Sequence, residues 1–407
     1  MAFNPLQEKG IPLEKQIRGW AELNVQPYNK NEVHPYTRTR GILMNGIEVE
    51  AALCSHECAR HIADLDLKRN LAFIRRLEQQ QQKAVNWMIP GDESTLEVTI
   101  GYEQLAVDLT AYLARTVPDP YFKQVLDFAL IEDFDHLYRY ANLMEMSEGK
   151  KAETLVGDYT EIMPGRPTIK EHRHPYDEIR NFVDRTAGPP LNQLYALTIT
   201  AAEQQTMNYY MNVGNRLTDS LGRGIYLEIG QIEEQHVSHY ESMIDPRMSM
   251  YEMMVMHEYN ECYLYYSCLQ TETDPRVKSV WEMHLNMEIE HLKYACDLMR
   301  KYDKKDPEAI LPREMPAPIV LESNIDYVRD IIATQTDLTA LETGFIRSSE
   351  LEPNARYFKY QKDVNTDGVP TELVIEQNRV KSGREYRHEV KGPHPLEEFR
   401  MPAMAAR

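Results

Sequence analysis

"QIEEQHVSHY", residues 231–240, sets Glu233 three residues before His236 and Tyr240 four residues after it. On a helix, residues three and four apart share one face. Helical metal ligands are presented in this way, and so is an ordinary charged face turned to solvent. What decides between them is whether the rest of the chain completes the pattern.

A shift of 55 residues reaches Glu288 and His291 in "MEIEHLKY". Moving back 155 from that pair gives Asp133 and His136 in "EDFDHLYRY", and back 155 from the first pair gives Glu78 and Gln81 in "LEQQQQK". Thirty residues before the four copies stand Glu203, Glu258, Glu103 and Glu48. The same ungapped shift aligns Ser94 with Ser249, Glu97 with Glu252, and Asp119-Pro120 with Asp274-Pro275. Only 64 of 407 residues are acidic, so eight acids in register point to a tandem duplication.

The spacing of 30 has a geometric reading. Midway between the paired acids lie "NRLTDSLG", "TETDPR" and "TVPDPY", whose Asp, Pro and Gly mark helix ends and starts. Each pair of acids is therefore expected on two antiparallel helices, at equal distance from their turn. The break between Glu48 and Glu78, "HIADLDLK", is weaker, with no Gly or Pro. Ser94 with Glu97, and Ser249 with Glu252, read as capping boxes that open the third helix of each half.

On this reading Glu203, Glu233, His236, Glu258, Glu288 and His291 converge in the second half. One Glu from each of two helices and Glu-x-x-His from each of the other two is the ligand pattern of dinuclear carboxylate bundles. Four carboxylates oppose two divalent cations, and hard oxygen with some imidazole suits iron or manganese. Residues 196–303 thus resemble the ferritin-like superfamily, in particular its rubrerythrin and bacterioferritin-type di-iron proteins, and residues 46–148 do so weakly. The resemblance implies four-helix bundles, two iron (alternatively two manganese) ions per chain, and reaction with peroxide or dioxygen. Glu261, one turn after Glu258, matches an extra ligating glutamate of rubrerythrins; a solvent-facing glutamate is the plainer reading. Tyr240, and Tyr294 after His291, could pass an electron or proton beside the metals, or serve as core aromatics.

In the first half, Glu48, Glu78, Gln81, Glu103, Asp133 and His136 form either an altered second metal site or a decayed one, its acids neutralised by hydrogen bonds or by cations such as Arg75. The superfamily's long crossover between second and third helices is missing, since only about five residues join them here. Either each half is an up-and-down bundle or hairpins are exchanged between halves or subunits. A site closed within the second half is the working expectation.

The expected class is all-α: a degenerate bundle at 46–148, a linker at 149–195 and a metal-bearing bundle at 196–303. Around these lie an extended arm at 1–45 and a proline-rich arm at 304–407. Within the latter a helix is expected from about Ile325, and a small β-hairpin is read in "RYFKYQKDVNTDGVPTELVIEQ", turning at Asp367-Gly368. Arms of this kind often wrap a partner subunit, so a homo-oligomer is expected.

A net charge of −19 argues against a general nucleic-acid binder. No run of about eighteen apolar residues exists, so no membrane span is expected. The start "MAFNPLQEKG" has no apolar signal core, which makes a cytoplasmic location the default expectation. The five cysteines show no CxxC pair, so any electrons for an oxidoreductase would come from a separate protein. Cys54 and Cys58 share a helix face, where packed, reduced thiols are expected in preference to a redox pair. A non-catalytic metal-handling or assembly role and a dimanganese catalase are the alternatives to the di-metal oxidoreductase.

Overall fold

The computed structural model describes residues 3–401, so the outermost ends of the two expected arms, 1–2 and 402–407, lie outside the described residues. Eight long helices carry the fold: α1 (Pro35–Arg60), α2 (Leu65–Trp87), α3 (Thr95–Thr116), α4 (Pro120–Glu148), α5 (Leu191–Val213), α6 (Ser220–Glu241), α7 (Met250–Thr271) and α8 (Pro275–Tyr302). Their starts are written in the sequence. Asp64, Asp119, Asp219 and Asp274 accept hydrogen bonds from first-turn amides, and Pro120 and Pro275 open α4 and α8. Both capping boxes form: Ser94 and Ser249 receive the Glu97 and Glu252 amides at 3.2 and 3.1 Å, and both glutamates return the bond.

The helices pair as the hairpins α1–α2, α3–α4, α5–α6 and α7–α8. The halves do not close on themselves. Hairpin α1–α2 faces α7–α8, and hairpin α3–α4 faces α5–α6, giving two four-helix bundles that pack together chiefly through α1 against α3 and α5. Each bundle therefore takes its first hairpin from one half and its second from the other. This corrects the expected division into bundles at 46–148 and 196–303. The links at 88–94 and 242–249 exclude the long crossover and leave an up-and-down bundle or an exchange; the packing of the hairpins decides for the exchange. Seven or eight residues reach about 25–28 Å fully extended, too short to run back along a helix of about 33 Å. The chain instead leaves one bundle and enters the other, an exchange of hairpins within one molecule.

The expected linker is also more than a linker. Gly10-Ile11-Pro12 and Gly165-Arg166-Pro167 are 155 apart, and both make the same contact: the Ile11 amide donates to Asn286 O at 2.6 Å, the Arg166 amide to Ile131 O at 2.9 Å. Asn286 and Ile131 are themselves 155 apart. At both glycines an added Cβ would run into those same carbonyls. Further along, Tyr28 N donates to Met88 O and Val183 N to Met243 O, both at 2.9 Å. Residues 165–183 repeat residues 10–28 as straps laid across the bundles, and the expected linker ends at residue 190, just before α5 begins. The N-terminal arm stops short of residue 45, because α1 already begins at Pro35.

Helix α9 (Ile325–Gln335) starts where the sequence placed it. The expected β-hairpin does not form at Asp367-Gly368: that stretch is α10 (Arg356–Val364) and α11 (Pro370–Ser382). Thr371, Val374, Ile375 and Asn378 are its buried positions, a spacing of 3, 4 and 7 that belongs to a helix. The hairpin lies earlier, β1 (Leu338–Leu341) with β2 (Gly344–Arg347), antiparallel with Leu338 opposite Arg347. Helix α11 packs on α4 and α6, and Ile319 donates to Ser267 of α7, so the C-terminal region lies against both bundles rather than standing free as an arm.

Candidate metal centres

Each bundle gathers acids at one level, as the repeat required, but in a different combination from the one expected. Glu203, Glu233 and His236 do not meet Glu258, Glu288 and His291. Cluster A, in the bundle of α1, α2, α7 and α8, joins Glu48, Glu78, Gln81, Glu258, Glu261, Glu288 and His291. Cluster B, in the bundle of α3, α4, α5 and α6, joins Glu103, Asp133, His136, Glu203, Glu233 and His236. The first half therefore holds no site of its own; its ligands complete those of the second.

Cluster B has the full set of four carboxylates and two imidazoles. Asp133, Glu203, Glu233 and His236 offer ligand atoms within 4.8 Å of one another, as do Glu103, His136 and Glu233. Glu233 belongs to both groups, the position of a bridging carboxylate. All six residues are buried. Both oxygens of Asp133 and of Glu203, one of Glu103, one of Glu233, and His236 Nδ1 have no hydrogen-bond partner. His236 Nδ1 lies 3.1 Å from Asp133 and 3.7 Å from Glu203 without hydrogen-bond geometry. These atoms lie close together without bonding one another. Burial, reinforced by Glu233, pushes the Glu103 carboxyl well above its usual range; burial and Asp133 do the same to Glu203. Unpaired buried carboxylates are costly, and cations between them relieve that cost. The donor set fits a pair of divalent ions.

The outer surroundings fix the imidazoles. His136 turns Nδ1 to Glu233 at 3.0 Å and donates from Nε2 to Glu171 at 2.9 Å. His236 turns Nδ1 inward and Nε2 to Glu132 at 2.9 Å. Glu132 is held in turn by Arg166 at 2.6 Å and Arg173 at 3.0 Å. Burial alone would raise the Glu132 carboxyl, but the two guanidiniums hold it well below the usual range. A metal-binding imidazole whose far nitrogen is tied to an acceptor has its tautomer and orientation set.

Cluster A repeats the plan with one exchange. Glu78, Glu258, Glu288 and His291 form one group within 4.8 Å, and Glu48, Glu78 and Glu261 another, with Glu78 shared. Gln81 stands where His236 stands in cluster B, and its amide donates to Glu288. Glu261 supplies a carboxylate in compensation, and both its oxygens lack partners. His291 donates from Nε2 to Gln16 at 2.7 Å. Where Gln81 replaces the histidine, the outer support goes too: Met287 and Ile11 occupy the repeat positions of Glu132 and Arg166. Arg75 does not neutralise this cluster; it bonds Ser55 at 3.3 Å.

The two clusters differ in access. Every ligand of cluster B is sealed in, whereas the Glu258 side chain of cluster A keeps 16 % of its surface exposed. A narrow recess reaches Glu258 and Glu78, lined also by Cys54, His257, Met254 and Tyr294. Tyr240 is buried beside cluster B with a hydroxyl that bonds nothing, and Tyr294 is half-buried at the recess. Two tyrosines that sequence reasoning passed over make direct contact: Tyr210 donates to Glu103, and Tyr265 donates to Glu48. Both stand seven residues after a ligand glutamate, Glu203 and Glu258, which is the signal that could have found them. Gln16 and Glu171 were legible too, since the shift of 155 relates them.

The fold and its sites thus define an all-α protein with two buried carboxylate–histidine clusters, and among the described residues no helix is long and apolar enough to cross a membrane. No protein-family model, curated protein or solved structure matches the chain.

Proposed function

We propose that the protein is a ferritin-like di-metal carboxylate oxidoreductase with two dinuclear centres, acting on peroxide, dioxygen or a comparably small substrate. The observation that supports it most is cluster B: unpartnered carboxylate oxygens from four helices gather in two groups that share Glu233, beside two imidazoles whose far nitrogens are already tied. Bound iron or manganese would supply Lewis acidity and, through changes of oxidation state, single electrons. Glu103, Asp133, His136, Glu203, Glu233 and His236 hold one pair of ions; Glu48, Glu78, Glu258, Glu261, Glu288 and His291 hold the other. Tyr210 and Tyr265 orient the Glu103 and Glu48 carboxylates and keep a proton on hand at their hydroxyl oxygens. The sealed walls of cluster B exclude bulk water, while Glu258 marks where a small molecule reaches cluster A.

Reducing equivalents from a separate protein belong to this reading, as does a homo-oligomer, which analytical ultracentrifugation tests. The closure of cluster B favours a second reading for that cluster alone: a structural or metal-holding centre that takes no substrate. Metal quantification on natively purified protein, with the element identified by anomalous scattering, is the deciding experiment. Two ions or more of iron or manganese per chain, with the cluster B pair alone lost on Glu233→Ala and the cluster A pair alone on Glu78→Ala, support the proposal; a chain without metal ends it. Peroxide consumption without reductant would assign manganese-catalase chemistry, and a requirement for reductant would assign a peroxidase.

A further inference from the structure

Cys54 and Cys58 stand one turn apart near the C-terminal end of α1, which finishes at Arg60. Cys54 is partly exposed and forms part of the wall of the recess that ends on Glu78 and Glu258. The recess encloses about 20 Å³, room for one water-sized molecule. Nε2 of the buried His257, which also lines it, has no partner of its own, while Glu78 Oε1 lies 2.6 Å from His291 Nδ1. Cys54 therefore shares one small chamber with the accessible edge of a carboxylate cluster, and the buried Cys58 lies behind it, hydrogen-bonded to Cys54.

We propose that Cys54 and Cys58 form a redox dithiol that supplies two electrons to a hydroperoxide admitted to cluster A. This rests on the metal-binding reading of that cluster. For hydrogen peroxide the O–O bond and the two S–H bonds break. One S–S bond and two O–H bonds form, so that two sulfurs are oxidised and two waters leave. Cys54, in the recess wall, takes up the first oxygen as a sulfenic acid with release of water. Cys58 then attacks the Cys54 sulfur and releases the second water.

Several features of the chain serve this sequence. The hydrogen bond between the thiols pushes the Cys54 thiol up and the Cys58 thiol down, so Cys58 is the better resolving nucleophile. Burial adds to the rise at Cys54. Cysteines four apart on a helix have Cβ atoms about 5–6 Å apart, against about 3.8 Å in a disulfide, so closing the bond needs the last two turns of α1 to give. The partial exposure of Cys54 leaves the disulfide open to an external dithiol, which restores the reduced state. His257 Nε2, unbonded in the same wall, is positioned to hold the peroxide by a hydrogen bond.

The test uses the full chain, reduced and loaded with iron or manganese, with metal content measured on the same sample. After one equivalent of hydrogen peroxide, the peptide carrying Cys54 and Cys58 is expected to lose two hydrogen masses, and two of the five thiols disappear. Disulfide formation is expected to be at least about tenfold slower in metal-free protein and in Glu258→Gln. Cys54→Ser and Cys58→Ser abolish it while keeping the metal. A metal-loaded cluster A whose thiols stay reduced as peroxide is consumed overturns the inference alone. Equal oxidation rates with and without metal overturn it as well, since the thiols would then act independently of the cluster. A chain that binds no metal overturns the functional reading along with it.

Discussion

Gln16 accepts a hydrogen bond from His291 at 2.7 Å, and Glu171 accepts one from His136 at 2.9 Å. The two acceptors lie 155 residues apart, and so do the two histidines. One strap from each half therefore holds one ligand imidazole of each cluster. Glu171→Ala is expected to weaken metal binding at cluster B by about 10–100-fold, the usual cost of losing the group behind a ligand histidine. Chelator competition measures this, with circular dichroism as the check on folding. Cluster A should be untouched, and Gln16→Ala should give the mirror result.

Shared carboxylates set the stoichiometry. With both clusters filled, about four divalent ions per chain are expected. Glu233 and Glu78 each belong to both ligand groups of their cluster. Glu233→Ala is thus expected to lose the cluster B pair and Glu78→Ala the cluster A pair, each leaving the other pair bound. Elemental analysis after gel filtration reads this directly; the loss of all ions in either variant would contradict two independent centres.

Metal should stabilise the fold, because the ligands come from four helices that only the native state assembles. At 100 times the dissociation constant, one bound site adds about 2.7 kcal/mol. Thermal denaturation should shift upward with added iron or manganese and downward with chelator. Glu203→Gln, which removes a cluster B ligand charge, should reduce that shift.

The straps depend on two glycines. An alanine Cβ at Gly165 would meet Ile131 O and crowd Asp135 N at 2.9 Å. Gly165→Ala is expected to lift the segment that carries Arg166, Glu171 and Arg173. The variant should lose both stability and cluster B affinity, as chemical denaturation and metal titration would show. Gly149→Ala, with no neighbour near its Cβ, should bear only the cost of its left-handed backbone, φ +66°.

Asp108 gives a pH dependence away from the clusters. Burial raises its carboxyl to about 7, although Thr160, Asn324 and Tyr36 donate to it. Its unfolded value is about 3.8. Between the two the folded state holds a proton that the unfolded state has released, so stability falls as pH rises through this window and levels off above about 7. Asp108→Asn should flatten that part of the profile. Urea midpoints at about pH 4.5 and pH 8, taken for both proteins, isolate the difference.

The alternation of acids, the hairpin turns, the capping residues and the start of α9 were legible in the chain, because each is set by residues close in sequence. Helical periodicity says which face of Glu233 and His236 is buried, and a spacing of 30 says that their partner acid lies at the same height. The stretch 356–377 misled for the opposite reason. Its short apolar runs fit either strand or helix, and only packing of α11 against α4 and α6 selected the helix.

The sequence by itself determined the ligand types, their number and their levels, and the repeat of 155 that extends to Gln16 and Glu171. Only the tertiary structure decided which hairpins share a cluster. Any first hairpin joined to any second presents the same two glutamates and two acid-x-x-His or acid-x-x-Gln faces, so the local pattern is blind to the choice. The links at 88–94 and 242–249 are too short to fold back along a helix, which left an up-and-down bundle or an exchange, and packing between the hairpins sent each chain half into both bundles. The exchange gave cluster B two histidines, His136 and His236, and left cluster A with His291, Gln81, Glu261 and an open edge.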